Sequence, residues 1–334
     1  LLQQDAFTLL YIAPEKLLTA RFQAILAKCL VNLLAIDEAH CISQWGHDFR
    51  PEYTKLSQLK QQFPDTPVLA LTATADKVTR RDISEQLQLY EPSVYVASFD
   101  RPNIRLAVAP GQQKFKQLQR FLKRFGGQSG IIYCLSRNGA EQLAAKLRDS
   151  GWNAAHYHAG LSREDRAAVQ EQFINDQVPI VCATIAFGMG IDKPNVRFVV
   201  HYNLPKNVEG YYQEIGRAGR DGLRSEALLF HSQQDFNTLC GFLDTSTEQG
   251  QVQLAKLERM QEYANAQICR RRILLSYFGE YTSGDCGYCD VCEDPPTAFD
   301  GTTIAQMALS AAARAGQQAA LSTVIAILKG QHTK

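Results

Sequence analysis

The chain has 334 residues, 45% of them hydrophobic, with 35 Lys and Arg against 34 Asp and Glu and a formal net charge of +1. That length predicts two or three domains, and the near-neutral balance excludes a globally basic chain while leaving room for a local basic groove. No apolar run approaches the ~20 residues that cross a bilayer, and nine cysteines, five of them isolated at positions 29, 41, 134, 182 and 240, lack the spacing of a secreted disulfide framework, so the expectation is a reducing, cytoplasmic compartment and no membrane.

The chain opens on Leu1-Leu2-Gln3-Gln4-Asp5, with neither a signal nor a transit pattern and no initiator methionine. Residues 7–12 already have a strand pattern, so the chain is expected to begin inside a domain. Further strands are predicted over 31–36, 67–71 and 94–96, alternating with helical spacing over 14–30, 50–62 and 77–89. Such alternation predicts a parallel sheet covered on both faces, with ligands at the carboxyl ends of its strands. Asp37 and Glu38 directly follow one predicted strand, and Thr72-Ala73-Thr74 follows another. Residues 99–103 mark a crossover into a second α/β region, with strands over 130–134, 154–158, 179–183, 196–202 and 226–230. Its helices are expected over 139–150, ended at Gly151, and from a Ser162 cap to Asn175. From about Asp235 the pattern turns helical, over 252–266 and 269–278, and a cysteine-rich loop follows. Asp294-Pro295-Pro296 is a linker, followed by two short helices over 303–313 and 321–328, too little for an independent core. The expected division is 1–98, 99–234, 235–296 and 297–334.

The most informative stretch is Gln213-Glu214-Ile215-Gly216-Arg217-Ala218-Gly219-Arg220-Asp221-Gly222. Glycine lets backbone approach a ligand closely, and arginine offers a planar fork of donors that fits phosphate oxygens. Such a segment suits a clamp on the γ-phosphate of a nucleotide held by another domain. Asp37-Glu38-Ala39-His40, after the apolar run Leu33-Leu34-Ala35-Ile36, supplies the complementary half. A strand-end Asp37 is suited to Mg²⁺, and Glu38 to activating the attacking water. Together they read as two halves of one ATPase site. No G-x-x-x-x-G-K-[ST] occurs in the 334 residues, so the phosphate-cradling loop of such a site is not in this chain.

Thr72 and Thr74 read as a bridge between the nucleotide and the second region. Trp45, His47, Phe49 and Arg50 mix aromatic and basic character beside the acidic pair. Aromatics stack on single-stranded bases and arginine holds phosphates, although buried packing is the other reading for Trp45 and Phe49. Ala183-Thr184 with Gly188-Met189-Gly190-Ile191-Asp192, Ser136-Arg137 and His158 all end strands of the second region. They suggest a track for a nucleic-acid backbone. Cys269, Cys286, Cys289 and Cys292 close a tetrahedral structural Zn²⁺ site; the C-x₂-C-x₂-C run is also compatible with iron–sulfur ligation or with free thiols. The neighbouring Arg270-Arg271-Arg272 is expected to face solvent or DNA.

In order along the chain, these motifs resemble the RecQ family of DNA helicases within helicase superfamily 2. The resemblance rests on the acidic box with its aromatic extension at 37–53, Thr72 to Ala75, Ser98-Phe99-Asp100-Arg101-Pro102-Asn103-Ile104, positions 186–194 and 211–222, and the four cysteines. It implies two RecA-like parallel-sheet lobes, the first incomplete, then a helical zinc-binding subdomain and the start of a winged helix. It implies ATP-driven 3′→5′ unwinding of DNA in recombination and repair, with ATP, Mg²⁺ and Zn²⁺ as cofactors. Asp37 would serve Mg²⁺, Glu38 would act as base, and His40 with Trp45, His47, Phe49 and Arg50 would couple DNA to hydrolysis. Gln213, Arg217 and Arg220 would face the nucleotide, with Arg220 as the arginine finger, and Thr72, Thr74, Gly190 and Asp192 would lie beside it. Single-stranded and duplex DNA are the implied partners, a single-stranded DNA-binding protein a further one, and the nucleoid the implied location. The family's glycine-rich loop would lie upstream of Leu1, so this chain alone is expected to be close to inactive. The alternatives are a non-catalytic nucleic-acid-binding scaffold with a structural zinc site, and an RNA helicase or non-unwinding translocase, since nothing in these residues reads a 2′-hydroxyl.

Overall fold

A computed structural model describes residues 8–43, 49–188, 191–297, 299–316 and 320–330. Trp45, His47 and Gly190 lie outside the described residues. Two compact units divide at Asp294 and Pro295.

The first unit contains two parallel sheets. The first pairs β1 (Leu34–Ile36) with β2 (Val68–Ala70) in parallel, Leu34 opposite Val68. Helices Ala20–Leu26, Ser57–Gln62 and Lys77–Gln86 bury Leu26, Leu59 and Ile83 with Ile36 in one cluster. Asp76 caps the last of these, its carboxylate accepting from Thr79 N at 2.7 Å. The predicted strands at 7–12 and 94–96 are not strands over their described residues. Tyr11 is 89% and Tyr95 92% exposed, and among the described residues no strand edge pairs with either segment to bond its backbone.

The second sheet has six parallel strands: β3 (Ile104–Pro110), β4 (Gly130–Tyr133), β5 (Ala154–Tyr157), β6 (Ile180–Ala183), β7 (Phe198–His201) and β8 (Ser225–His231), ordered β3-β8-β7-β4-β6-β5. β4, β6 and β7 are buried at every residue, as expected of parallel strands covered on both faces. Helices Lys114–Lys123 and Arg137–Asp149 cover one face through Leu118, Phe121, Leu143 and Leu147. The other face carries Ile131, Tyr133, Val181 and Val199, and shares its core with Tyr211, Leu257, Met260, Tyr263 and Leu274 of helices Val208–Ile215, Glu248–Asn265 and Arg270–Tyr277. The helical region is therefore built onto the sheet. β3 was not among the predicted strands, yet it pairs with β8 over seven residues, Ile104 opposite Ser225 to Pro110 opposite His231. Helices Lys114–Lys123 and Val208–Ile215 were likewise not anticipated.

Ser162 caps helix Arg163–Ile174 as expected, accepting from Asp165 N at 2.9 Å. Cys134 and Cys182 are buried in the second sheet; burial pushes the Cys134 thiol up to about 12 and the Cys182 thiol well above its ordinary range. Both are core residues, which agrees with reading the isolated cysteines apart from the cluster. Among the described residues no helix is long and apolar enough to cross a membrane. The second unit, described by itself, contains helices Thr302–Arg314 and Leu321–Leu328.

Candidate functional site

The carboxyl ends of β1 and β2 bring the acidic pair and the threonines together. Leu71 N donates to Ile36 O and Ala39 N to Leu71 O, both at 2.8 Å, so the ladder continues one step beyond the strands. The chain then breaks sharply: Glu38 has φ 50° and ψ 41°, the left-handed region that a non-glycine residue seldom occupies. Glu38 N donates to Asp37 Oδ1 at 2.8 Å. Asp37 is exposed and Glu38 half-buried. His40, buried in the following 3-10 turn Ala39–Ile42, places Nδ1 at 3.0 Å from Thr72 Oγ1 and 3.3 Å from Glu38 Oε2. The imidazole thus joins the acidic motif to the threonine motif. Thr74 N donates to Thr72 Oγ1 at 3.3 Å, while the buried Thr74 hydroxyl has no partner among the described residues.

Phe49 and Arg50 are half-buried, and Arg50 N donates to Cys41 O at 2.9 Å, which returns the loop to the acidic turn. Tyr53, which sequence reasoning did not single out, belongs to this neighbourhood. Burial first, then the charges of Cys41, Glu38 and Asp37, raise its phenol against the opposing pull of Arg50. Its place in the aromatic extension was the available signal.

In the second sheet Ser136, Arg137, His158 and Thr184 all lie at the carboxyl edge, just beyond β4, β5 and β6. Their side chains are not equally available. Ser136 Oγ accepts from Gly139 N at 3.0 Å and so caps helix Arg137–Asp149. Arg137 is exposed and Thr184 half-buried. His158 is only 4% exposed; its Nδ1 accepts from Gly160 N at 3.2 Å and its Nε2 meets Glu141 Oε1 at 2.8 Å. With Nδ1 as acceptor, the neutral ring carries its proton on Nε2 and donates to Glu141. His156 stacks on His158 at 5.6 Å, and these three residues have metal-like spacing. A ligating histidine, however, directs its second nitrogen at an acceptor; here the second nitrogen of His158 faces an N–H, so His158 and Glu141 form a hydrogen-bonded brace on which His156 stacks.

The arginine segment follows helix Val208–Ile215, which bears the half-buried Gln213. Arg217 Nη1 donates to Gly188 O, and Arg220 Nη1 lies 3.3 Å from both Ile191 O and Asp192 Oδ1. Both guanidiniums therefore rest on the loop that follows β6, and the two glycine-containing motifs meet. A Cβ at Gly188 would displace the Arg217 guanidinium from its place against this backbone. Beneath them, Tyr133 Oη donates to Phe187 O at 2.8 Å and burial raises its phenol. His201 Nε2 is 2.6 Å from Glu214 Oε2 and the ring stacks on Tyr133 at 5.3 Å. The residues leading into the arginine segment are thus fixed from below.

The four cysteines converge, with every sulfur within 4.8 Å of the others and Cys286 Sγ 3.9 Å from Cys292 Sγ. A tetrahedral ion with Zn–S bonds of about 2.3 Å needs sulfurs about 3.8 Å apart. Cys286 N donates to Cys269 Sγ at 3.3 Å and Tyr288 N to Cys286 Sγ at 3.4 Å, the donors that thiolates require. The donor set and spacing fit zinc. Arg270 and Arg271 do not face solvent or DNA: they are 5% and 7% exposed. Arg270 bonds Asp290 at 3.0 and 3.2 Å and Tyr263 O at 2.7 Å, and Arg271 bonds Asp100 at 2.6 Å. Arg272 alone is exposed, beside Asp285 at 3.0 Å.

The DEAD/DEAH box helicase family model matches residues 2–82, the helicase conserved C-terminal domain 113–222, and the RecQ zinc-binding domain 233–293. The chain is 50% identical over 331 residues to the ATP-dependent DNA helicase RecQ of Pasteurella multocida, covering 98% of this chain and 52% of that protein. It is likewise 50% identical to that of Haemophilus influenzae (98% and 53%) and 40% identical to that of Bacillus subtilis (100% and 57%). The chain therefore spans about half the length of the curated relatives it matches. Among solved structures, a Saccharomyces cerevisiae Dbp5 variant bound to RNA and ADP BeF3 superposes with TM-score 0.56 at 20% identity, over 75% of this chain and 62% of that one. The Mycobacterium smegmatis helicase Lhr bound to ssDNA and AMP-PNP gives 0.51 at 23% identity, over 68% and 32%; at these identities both speak for the fold alone.

Proposed function

The chain belongs to the RecQ family of helicases, and from that premise we propose that its two parallel-sheet regions hydrolyse ATP between them and use the turnover to separate DNA strands in the 3′→5′ direction. The observation that carries this assignment is His40, bonded to Thr72 at 3.0 Å and 3.3 Å from Glu38. It gives the acidic motif and the threonine motif one shared hydrogen-bonding group at one sheet edge, where parallel sheets bind ligands.

In this assignment Asp37 would hold Mg²⁺, which would neutralise phosphate charge when bound. Glu38 takes the proton from the attacking water as its oxygen bonds the γ-phosphorus and the bond to the bridging oxygen of ADP breaks. Gln213, Arg217 and Arg220 face the γ-phosphate, and Arg220 stabilises the charge that develops there. Thr72, Thr74, Gly190 and Asp192 line the nucleotide. Trp45, His47, Phe49 and Arg50 contact single-stranded DNA with Ser136, Arg137, His158 and Thr184, with His158 acting chiefly through the Glu141 brace. Cys269, Cys286, Cys289 and Cys292 hold a structural zinc. We divide the chain after residues 98, 234 and 296, with 297–334 as the start of a winged helix. Work in recombination and repair at the nucleoid, beside a single-stranded DNA-binding protein, rests on the family resemblance.

These 334 residues contain no G-x-x-x-x-G-K-[ST], so we assign the phosphate cradle to residues outside this sequence and expect this stretch alone to turn ATP over close to the uncatalysed rate. The test is ATP hydrolysis with and without single-stranded DNA, on these residues and on a protein extended to the length of the relatives. DNA-stimulated turnover in the extended protein only, lost in Arg220→Ala with DNA binding kept, is the expected result. Turnover in neither protein would favour the non-catalytic scaffold. Duplexes with a 3′ or a 5′ overhang test direction.

A further inference from the structure

Residues 98–103 lead into the second sheet and are bonded on both flanks. On one flank Arg101 Nη1 donates to Gly216 O at 3.2 Å, and its Nη2 donates to Ala218 O at 3.0 Å and Gly219 O at 3.2 Å. Asn103 Nδ2 donates to Gly219 O at 2.8 Å and Leu223 O at 3.0 Å. Two side chains thus hold the carbonyls of the stretch from which Arg217 and Arg220 project. The fit is close: Gly219 has φ 58°, and a Cβ there would collide with the Asn103 amide and lie 2.7 Å from Ser225 Oγ.

On the other flank the same residues are locked to helix Arg270–Tyr277 and the residues after it. The Phe99 ring stacks on Phe278 at 4.5 Å and 7°, and meets Tyr212 edge-on at 5.8 Å. Ser98 Oγ and Phe99 N donate to Glu280 at 2.7 and 2.8 Å, and Tyr212 Oη donates to Phe99 O at 2.8 Å. Arg271 bonds Asp100 Oδ1 at 2.6 Å and Ile104 O at 2.7 Å. Arg101 and Asn103 therefore stand on backbone that is fixed on either side of them.

From this geometry we infer that Arg101 and Asn103 are positioning residues for Arg217 and Arg220, fixing the backbone that aims the two guanidiniums without touching nucleotide themselves. The inference rests on the assignment of those arginines to the γ-phosphate. An arginine carries a long, freely rotating stem, so its tip is accurately placed only if its own Cα is. Misplacement of a reacting contact by about 1 Å is worth about 10²-fold in rate. Arg101 suits the task because a planar fork reaches several carbonyls at once, which the single ammonium of lysine does not.

The experiment uses the protein extended to the relatives' length. Arg101→Ala is expected to lower kcat by about 10- to 100-fold, with KM for ATP, DNA affinity and zinc content unchanged; Arg101→Lys restores little. Because Arg101 acts through Arg217 and Arg220 together, adding Arg101→Ala to the Arg217→Ala/Arg220→Ala variant slows its residual turnover no further. Should Arg101→Ala fail to fold, Asn103→Ala, which removes two of the bonds and no charge, carries the same expectation. Unchanged kcat in a folded variant, or a further loss when Arg101→Ala is added to the Arg217→Ala/Arg220→Ala variant, overturns the inference. If Arg220→Ala itself leaves turnover intact, the assignment of the arginine segment has failed, and this inference with it.

Discussion

Glu38 occupies a backbone conformation that costs a non-glycine residue on the order of 1–3 kcal/mol, and its surroundings show what that strain holds in place. The turn directs its amide to Asp37 Oδ1 and its carboxylate toward His40. Glu38→Gln keeps the shape and removes the proton acceptor. In the extended protein kcat is expected to fall by about 10²–10⁴, with KM for ATP and the melting temperature close to those of the parent; retained turnover would remove Glu38 from the role of base. The acidic pair was legible in the sequence because an apolar run leads straight into it. The left-handed turn was not, since φ at position 38 follows from how Ala39 bonds to Leu71, a residue just beyond the neighbouring strand.

At the scale of elements, the cysteine loop closes the outer edge of the six-stranded sheet. β3 is an edge strand, and Leu106 forms a bridge with Cys289 while Val108 N donates to Asp290 Oδ2 at 2.8 Å. Asp290, between two zinc-ligand candidates, also receives Arg270. Covering an edge in this way satisfies donors that would otherwise recruit another strand. Metal analysis of freshly purified, reduced protein is expected to give about one zinc per chain. Chelation should then speed hydrogen exchange at the Val108 amide while the amides of β4, β6 and β7 stay protected. Absence of metal, or an unchanged Val108, would refute the coupling of zinc to this edge. The cysteine spacing was plain in the sequence. The fate of Arg270 and Arg271 was not, because a run of three arginines looks solvated until Asp290 and Asp100 are brought beside it.

For the whole molecule, several ion pairs join distant stretches of the second sheet region. Lys193 and Ser129 hold Asp176 below the usual carboxylate range, Arg197 does the same for Asp221, and Arg105 for Glu293. A carboxylate whose folded pKa is depressed contributes stability that is complete above its unfolded value and is lost as pH falls through the folded value. The melting temperature is therefore expected to be level near neutrality and to fall once pH drops below about 4. Partial exposure of these pairs keeps each contribution small. Asp221→Asn should lower the neutral melting temperature slightly and make the acid decline shallower; an identical decline would show that the Arg197 pair contributes nothing.

By itself the sequence determined which charged and metal-binding residue types stand together and how they are spaced: Asp37 with Glu38, Arg217 with Arg220, and four cysteines. It also made β4, β6 and β7 legible, because a strand buried on both faces must be apolar throughout. Only the tertiary structure decided which edges are paired. Residues 94–96 have the apolar character of a strand and pair with no strand among the described residues, while Ile104–Pro110, which sequence pattern did not mark, gains β8 as its neighbour. Arg101 finds its carbonyls at 216, 218 and 219, more than a hundred positions away. Local pattern reports that a face will be buried; it carries no information on which distant backbone will supply the hydrogen bonds, and that choice is made when the sheet assembles.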